Sequence, residues 1–145
     1  MADTPQNYQN HVRWQKSFHF FLLPVFLINF IWSVVEFFLS PGWEPGRWVV
    51  VSFALIVLTI LTRINPLRAQ DRVIRLEEQL RYQRVLPPEL AQRAHALTIW
   101  QIVALRFAPD AELPDLVRQT LENKFAKTDE IKRAIKNWRA DTLRV

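Results

Sequence analysis

Two long apolar stretches constrain this chain more than any other feature. Residues 17–40 read SFHFFLLPVFLINFIWSVVEFFLS, and residues 48–64 read WVVVSFALIVLTILTRI. As helices they extend about 36 Å and about 25 Å, which suits a hydrocarbon core of about 30 Å if the first tilts and the second extends into its flanks. The rest of a 145-residue chain is too small to cover two such helices. The sequence therefore predicts two membrane spans.

The linker between the spans, residues 41–46, reads PGWEPG and holds both glycines of the chain. Pro presets one turn torsion and Gly supplies positive φ, so the two Pro-Gly pairs predict a tight reversal and an antiparallel hairpin. Basic residues precede the first span and follow the second, whereas the connection carries only Arg47. The positive-inside rule then predicts that both termini are cytoplasmic.

The predicted fold class is all-α, with three parts. Residues 1–16 form an N-terminal cytosolic segment, residues 17–64 a transmembrane helical hairpin, and residues 65–145 a cytosolic domain of four to five short helices. This last part carries 15 basic and 11 acidic residues, no glycine and no alternating strand pattern. Its length suffices for a small core.

Helix signals divide the third part. Pro66 either caps or kinks a continuation of the second span, and residues 67–84 follow as a helix that we expect to fold back on its own domain. A short helix over 89–96 comes next, and Thr98 with Gln101 then matches a capping box. Further helices are expected from Pro109 and, capped by Thr128, over 129–138.

Polar residues of each span repeat at helical spacing, which places them on one stripe per helix. Because small and polar side chains mediate helix contacts in lipid, we expect these stripes to face each other or a partner's helix. A proton or ion path is the less favoured interpretation, because only one of these groups lies at the centre of the span. The predicted contact residues are Asn29, Ser33, Glu36, Ser52 and Thr59.

The 67–84 helix carries two further features. An apolar seam at heptad-like spacing consists of Ala69, Val73, Leu76 and Leu80. Its arginines are expected to contact anionic lipid headgroups or a partner, and they are Arg68, Arg72, Arg75 and Arg81.

No chemical motif suggests an enzyme. The chain has no cysteine and three histidines in separate segments, and it lacks a Gly-rich phosphate loop and any nucleophile motif. We expect no bound cofactor. The alternative is a membrane subunit in which His19 is the axial ligand of a haem or chlorin, since such a ligand needs only one imidazole.

Residues 97–112 superficially resemble the helix-turn-helix of bacterial sigma factors, which raises a membrane-tethered regulator of DNA or of a soluble partner as another alternative. The second helix of this pair begins with Asp110, Glu112 and Asp115, which would repel phosphates. We therefore expect no nucleic-acid partner.

Four segments together resemble a family of small bacterial two-pass membrane proteins catalogued only as a domain of unknown function. They are residues 6–14 (QNYQNHVRW), 70–81 (QDRVIRLEEQLR), 103–114 (VALRFAPDAELP) and 138–145 (WRADTLRV). The resemblance covers the whole chain and implies the same hairpin with cytosolic helices, in a bacterial inner membrane. It implies no activity. We expect a non-catalytic membrane protein that contacts lipids and works as an accessory subunit of a larger complex or as a self-assembling scaffold.

Overall fold

The described residues, 6–9 and 14–141 of a computed structural model, form six α-helices and no β-strand. This confirms the all-helical expectation. A π-helical segment, Phe18–Leu22, precedes the first α-helix, and a 3₁₀ turn, Ala94–Ala96, follows the third. The helices are α1 (Leu23–Leu39), α2 (Trp43–Val85), α3 (Pro88–Arg93), α4 (Ile99–Leu105), α5 (Leu113–Leu121) and α6 (Thr128–Ala134).

The chain divides into two compact units. Of the described residues, 14–67 form the hairpin unit, and 68–141 with 6–9 form the helical unit. Helix α2 contributes to both.

In the hairpin unit, α1 and the first part of α2 are antiparallel. Gln15 contacts Arg63, with 3.0 Å between Oε1 and Nη1, while the rings of Phe30 and Phe53 have centroids 6.0 Å apart. Near the connection, the Phe37 ring lies against Gly46. Residues later in the first segment therefore contact residues earlier in α2, which is the antiparallel order that the hairpin prediction requires.

Two helices, Phe18–Leu39 and Trp43–Val85, are long and apolar enough to span a membrane. Only 6% and 11% of their most apolar windows are buried in the protein. A core helix of a soluble protein is mostly buried, whereas these two helices are not.

The connection between the helices is shorter than the sequence suggested. Helix α2 already begins at Trp43, so Pro45 and Gly46 lie within its first turns, and neither glycine has a positive φ. The predicted role of Gly in supplying positive φ is therefore wrong. A proline is tolerated in the first helical turn because its missing N–H has no intrahelical acceptor there.

The two other prolines of the spans do not end a helix. Before Pro24 the chain forms the π-helical segment, a wider turn in which the Leu23 N–H donates to the Phe18 carbonyl. Helix α2 continues through Pro66 to Val85. Of the two outcomes predicted at Pro66, the cap is wrong.

The helical unit encloses a small core built mainly from α4, α5 and α6. The Thr98–Gln101 capping box is present at the start of α4, which confirms that prediction. Trp138 stacks on Phe107 with ring centroids 4.9 Å apart. The fully buried large side chains of the unit are Phe107, Ile102, Leu105, Leu113, Ile131 and Val117.

Two predicted helix starts in this unit are wrong. Helix α5 begins at Leu113 instead of Pro109, because residues 110–112 form a turn. Thr128 is the first residue of α6 and makes no capping hydrogen bond; the Glu130 carboxylate instead accepts from the backbone N–H of Ala126 at 2.8 Å.

The end of α6 also differs, at Ala134 instead of Trp138. The backbone N–H groups of Lys136 and Asn137 donate to the Glu112 carboxylate at 2.9 and 3.0 Å, and these bonds draw the chain away from helical geometry.

Candidate interaction surfaces

A polar contact joins the two helices of the hairpin. Asn29 Nδ2 donates to Ser52 Oγ at 3.1 Å, and the hydroxyl oxygens of Ser33 and Ser52 lie 2.9 Å apart. Ser33 and Ser52 are buried, although most neighbouring side chains are exposed. Three of the predicted contact residues are therefore brought together within one chain, and the hydroxyls of Ser33 and Ser52 also donate to the carbonyls of Asn29 and Trp48.

The other two predicted contact residues lie outside this cluster. Thr59 is buried, but its hydroxyl donates to the carbonyl of Leu55 in its own helix at 2.8 Å. Glu36 is exposed. The arrangement therefore gives a helix-packing contact instead of a continuous polar path.

His19 lies at the start of the first span, in the π-helical segment. Its Nδ1 is 3.0 Å from the Gln15 carbonyl oxygen, and its ring packs edge-on to Trp14 and Phe18, both at 5.0 Å between centroids. A hydrogen bond from Nδ1 to a carbonyl leaves Nε2 as the only nitrogen that can bind a metal. No group of three or more metal-binding side chains occurs among the described residues.

Three of the four predicted headgroup-contacting arginines are exposed on α2, namely Arg68, Arg72 and Arg75. Arg81 differs, since its side chain is only 5% exposed. The expectation that Arg81 contacts lipid therefore does not fit its position, because its guanidinium is enclosed by groups of its own unit.

Arg81 is the centre of a buried ion-pair network. Its Nε and Nη2 donate to the same Asp110 carboxylate oxygen at 2.8 and 2.6 Å, and Nη2 also donates to the Ala108 carbonyl at 2.6 Å. Its Nη1 lies 3.2 Å from Glu78 Oε2. Arg139 adds a longer contact of 3.6 Å to the other oxygen of Glu78.

The carboxylates of this network lie in different surroundings. Burial raises the pKa of Glu78, and the charges of Arg81 and Arg139 oppose that shift. Asp110 is 66% exposed and remains hydrated. Nearby, burial also raises the pKa of Tyr82, whose hydroxyl has no hydrogen-bond partner among the described residues.

The apolar seam does not predict this network, which depends on a second periodicity in α2. Ile74, Glu78, Arg81, Tyr82 and Val85 recur at spacings of four, three, one and three and share one helix face. All but Val85 are buried, so this is the face that packs on the helical unit. In the sequence, the signal for this network is the charged pair Glu78 and Arg81 within an otherwise apolar periodicity.

The seam of α2 faces away from the core of its unit. Val73, Leu76 and Leu80 are 52%, 62% and 62% exposed, and Ala69 is exposed as well. We call these four residues the α2 stripe. The helix packs on its own unit through the opposite face, which contains Ile74 and Tyr82.

A groove of about 420 Å³ runs beside α2 in the same unit. It is lined partly by Val73 and Leu80 and partly by Arg106, Arg139 and Asp141. Within this lining, Arg106 and Asp141 form an ion pair at 3.0 Å.

Helices α4 and α5 occupy the region that superficially resembles a helix-turn-helix. At the start of α5, Asp115 pairs with Arg118 at 2.7 Å, and Glu112 accepts three hydrogen bonds from Lys136 and Asn137. Partial desolvation acts to raise the pKa of Glu112, but these hydrogen bonds outweigh it. They lower the pKa and keep the carboxylate anionic. A negative helix start is unsuited to a DNA groove.

Comparison with curated proteins and with solved structures found no match. One family model, described as "Family of unknown function (DUF6526)", matches residues 1–145. The match covers the whole chain, so the protein belongs to this family of unknown function, DUF6526.

Proposed function

We propose that this protein is a non-catalytic integral membrane protein of a bacterial inner membrane that works through protein contacts. A two-span hairpin anchors a basic helical unit at the cytosolic face. The protein then acts as an accessory subunit of a larger membrane complex or as a self-assembling scaffold.

The membrane part of the proposal is supported by the surface of the hairpin unit. Large apolar side chains such as Ile28, Trp32 and Phe38 are more than half exposed, whereas the polar groups of Ser33 and Ser52 are turned inward. This distribution is the reverse of that in a water-soluble protein, and it suits a pair of helices surrounded by lipid.

A common side for the N-terminal segment and the helical unit is supported by contacts within that unit. Tyr8 Oη accepts from Arg133 at 3.1 Å, and Gln6 Oε1 accepts from the backbone N–H of Asp141 at 2.7 Å. Residues that precede the first span therefore bind residues that follow the second. Two spans permit this, and the excess of arginines on these flanks makes that side cytoplasmic under the positive-inside rule.

The α2 stripe is the observation that carries the functional part of the proposal. Val73, Leu76 and Leu80 lie beyond the apolar segment of α2, in a stretch that also contains eight charged residues between 67 and 85. Three neighbouring aliphatic side chains on one exposed helix face are typical of a surface that another protein covers.

The test is to extract the native protein in mild detergent and to determine the mass and composition of its particle. A variant with Val73→Gln, Leu76→Gln and Leu80→Gln is compared with the control Arg93→Gln, which changes an exposed residue of α3 outside the stripe. Stoichiometric foreign subunits would make the protein an accessory component, and several copies of this chain alone would make it a scaffold. The stripe variant should lose these partners, and the control should keep them. A wild-type particle that contains one copy and nothing else would contradict the proposal.

A further inference from the structure

The α2 stripe has the positions of a coiled-coil seam. Ala69, Val73, Leu76 and Leu80 are separated by four, three and four residues, which is the spacing of alternating d and a positions. The opposite face of the helix, which includes Ile74, is buried in the helical unit. Helix α2 is therefore packed on one side and presents an apolar seam on the other.

The residues beside the stripe have complementary charges. With Val73 and Leu80 at a positions, Arg72 occupies a g position and Glu77 the e position of the following heptad. In a parallel two-stranded coiled coil, a g residue faces the residue five positions further along the other helix. Arg72 of one copy would then face Glu77 of the other, and the symmetric pair would form as well. Both side chains are exposed, and neither forms an ion pair among the residues that the structure describes.

We propose that the α2 stripe binds the same stripe of a second copy in a parallel, two-fold symmetric pair flanked by Arg72–Glu77 ion pairs. The inference rests on the proposed membrane function, because copies inserted in one membrane share one orientation and their α2 helices are then parallel. A two-fold axis makes the interface self-complementary, as the equal charges on both copies require.

The short seam is sufficient only because of the membrane. Four core positions per helix are too few for a stable coiled coil between free peptides. Confinement of both copies to one bilayer raises their effective concentration and fixes their relative direction, as a linker does between tethered domains.

Cysteine cross-linking tests the pair directly in membranes that contain the full-length protein. Because the chain has no native cysteine, Leu76→Cys introduces a single thiol on the stripe. Arg75→Cys is the matched control, since it is also exposed but lies one position away from the seam. A short bis-maleimide should convert Leu76→Cys largely to a species of twice the chain mass and should leave Arg75→Cys monomeric.

Charge exchange tests the register. In the Leu76→Cys background, Arg72→Glu or Glu77→Arg alone places like charges opposite each other and should weaken association about fivefold. The double exchange recreates both ion pairs in the opposite sense and should restore cross-linking. Equal cross-linking in all four proteins would overturn the proposed parallel register.

The outcomes also separate this inference from the proposed function. Cross-links from Leu76→Cys to a foreign protein would overturn the symmetric pair and would leave the protein-contact function standing. A Leu76→Cys thiol that gives no cross-link in the membrane and reacts with maleimide only after detergent is added would place lipid on the stripe and would overturn the pair. A freely reactive thiol without any cross-link, in a protein whose native particle is monomeric, would overturn both.

Discussion

Replacement of Arg81 by Met tests the structural account of the helical unit most severely. The substitution keeps a long, flexible side chain but removes the guanidinium that binds Glu78, Asp110 and the Ala108 carbonyl. A matched control is Arg84→Met, which alters an exposed arginine three residues later on the same helix.

The magnitude follows from the burial of each partner. Removing one member of a buried pair costs about 3–5 kcal/mol, because the remaining charge is left unpaired. Glu78 can escape this cost by binding a proton, which at pH 7 takes at most about 4 kcal/mol for a group with an unperturbed pKa near 4.3. Arg139 retains a partial interaction with Glu78, and the exposed Asp110 returns to water at little cost. We therefore expect a loss of about 3 kcal/mol at pH 7.

The same reasoning predicts a dependence on pH. Protonation of Glu78 costs about 3 kcal/mol less free energy at pH 5 than at pH 7. The loss of stability caused by Arg81→Met should therefore fall below about 2 kcal/mol at pH 5. The loss from Arg84→Met should remain within about 0.5 kcal/mol at both values.

Hydrogen exchange of the buried amides in α4 and α5 measures these free energies in the full-length protein in detergent. The exchange of these amides reports the opening of the helical unit and not of the hairpin. If Arg81→Met and Arg84→Met have equal effects, or if the Arg81→Met loss is the same at pH 5 and pH 7, the buried network described here is refuted.

Three further predictions concern other parts of the molecule. Burial raises the pKa of Glu78 above its value in the unfolded chain. The contribution of Glu78 to stability is therefore complete below about pH 4 and decreases as the pH rises through the folded pKa. The stability of wild type relative to Glu78→Gln should accordingly decrease from pH 4 to pH 7 in the same exchange experiment. Ser52→Ala removes the acceptor of Asn29 and should destabilise the hairpin by about 1 kcal/mol in a detergent unfolding titration, whereas Thr62→Ala, which changes a hydroxyl bonded within its own helix, should have a smaller effect. The purified protein should show no visible absorption band, since the His19 ring is held by the Gln15 carbonyl and by edge-on contacts with Trp14 and Phe18; a band that is lost in His19→Leu would instead establish the haem or chlorin alternative.

Local features of this structure could be read from the sequence. The spans follow from continuous apolar runs, and the start of α4 follows from Thr98 and Gln101, which lie within one helical turn of each other. Each of these signals is complete within a few residues, so no knowledge of the fold is needed to interpret it.

Features that depend on distant residues could not be read in this way. Arg81 was expected to contact lipid headgroups or a partner protein, because its ion-pair partner Asp110 is 29 positions away in the chain. The early end of α6 depends on Glu112, which is 24 positions from Lys136. In both cases a carboxylate from another segment determines the local structure, and the helix propensity of the local residues does not reveal that contact.

The choice between two faces of α2 presents a different difficulty. The helix carries the α2 stripe on one side and the periodicity of Ile74, Tyr82 and Val85 on another, so both sides can bury apolar surface. Periodicity indicates that a face is suited to burial but not which element covers it. The structure shows that the face containing the ion pairs packs within the unit, which leaves the more regular seam exposed.

Reaction of single cysteines with a membrane-impermeant maleimide in intact spheroplasts tests the central claim, that a two-span hairpin anchors the helical unit at the cytosolic face. Gly42→Cys places a thiol between the spans, where an added Cβ would meet only Pro45 at an ordinary 3.7 Å, and Gln92→Cys places one on the exposed surface of α3. The account predicts that Gly42→Cys reacts at once and that Gln92→Cys reacts only after the membrane is permeabilised. Equal reactivity of the two thiols, or reaction of Gln92→Cys alone, would contradict it.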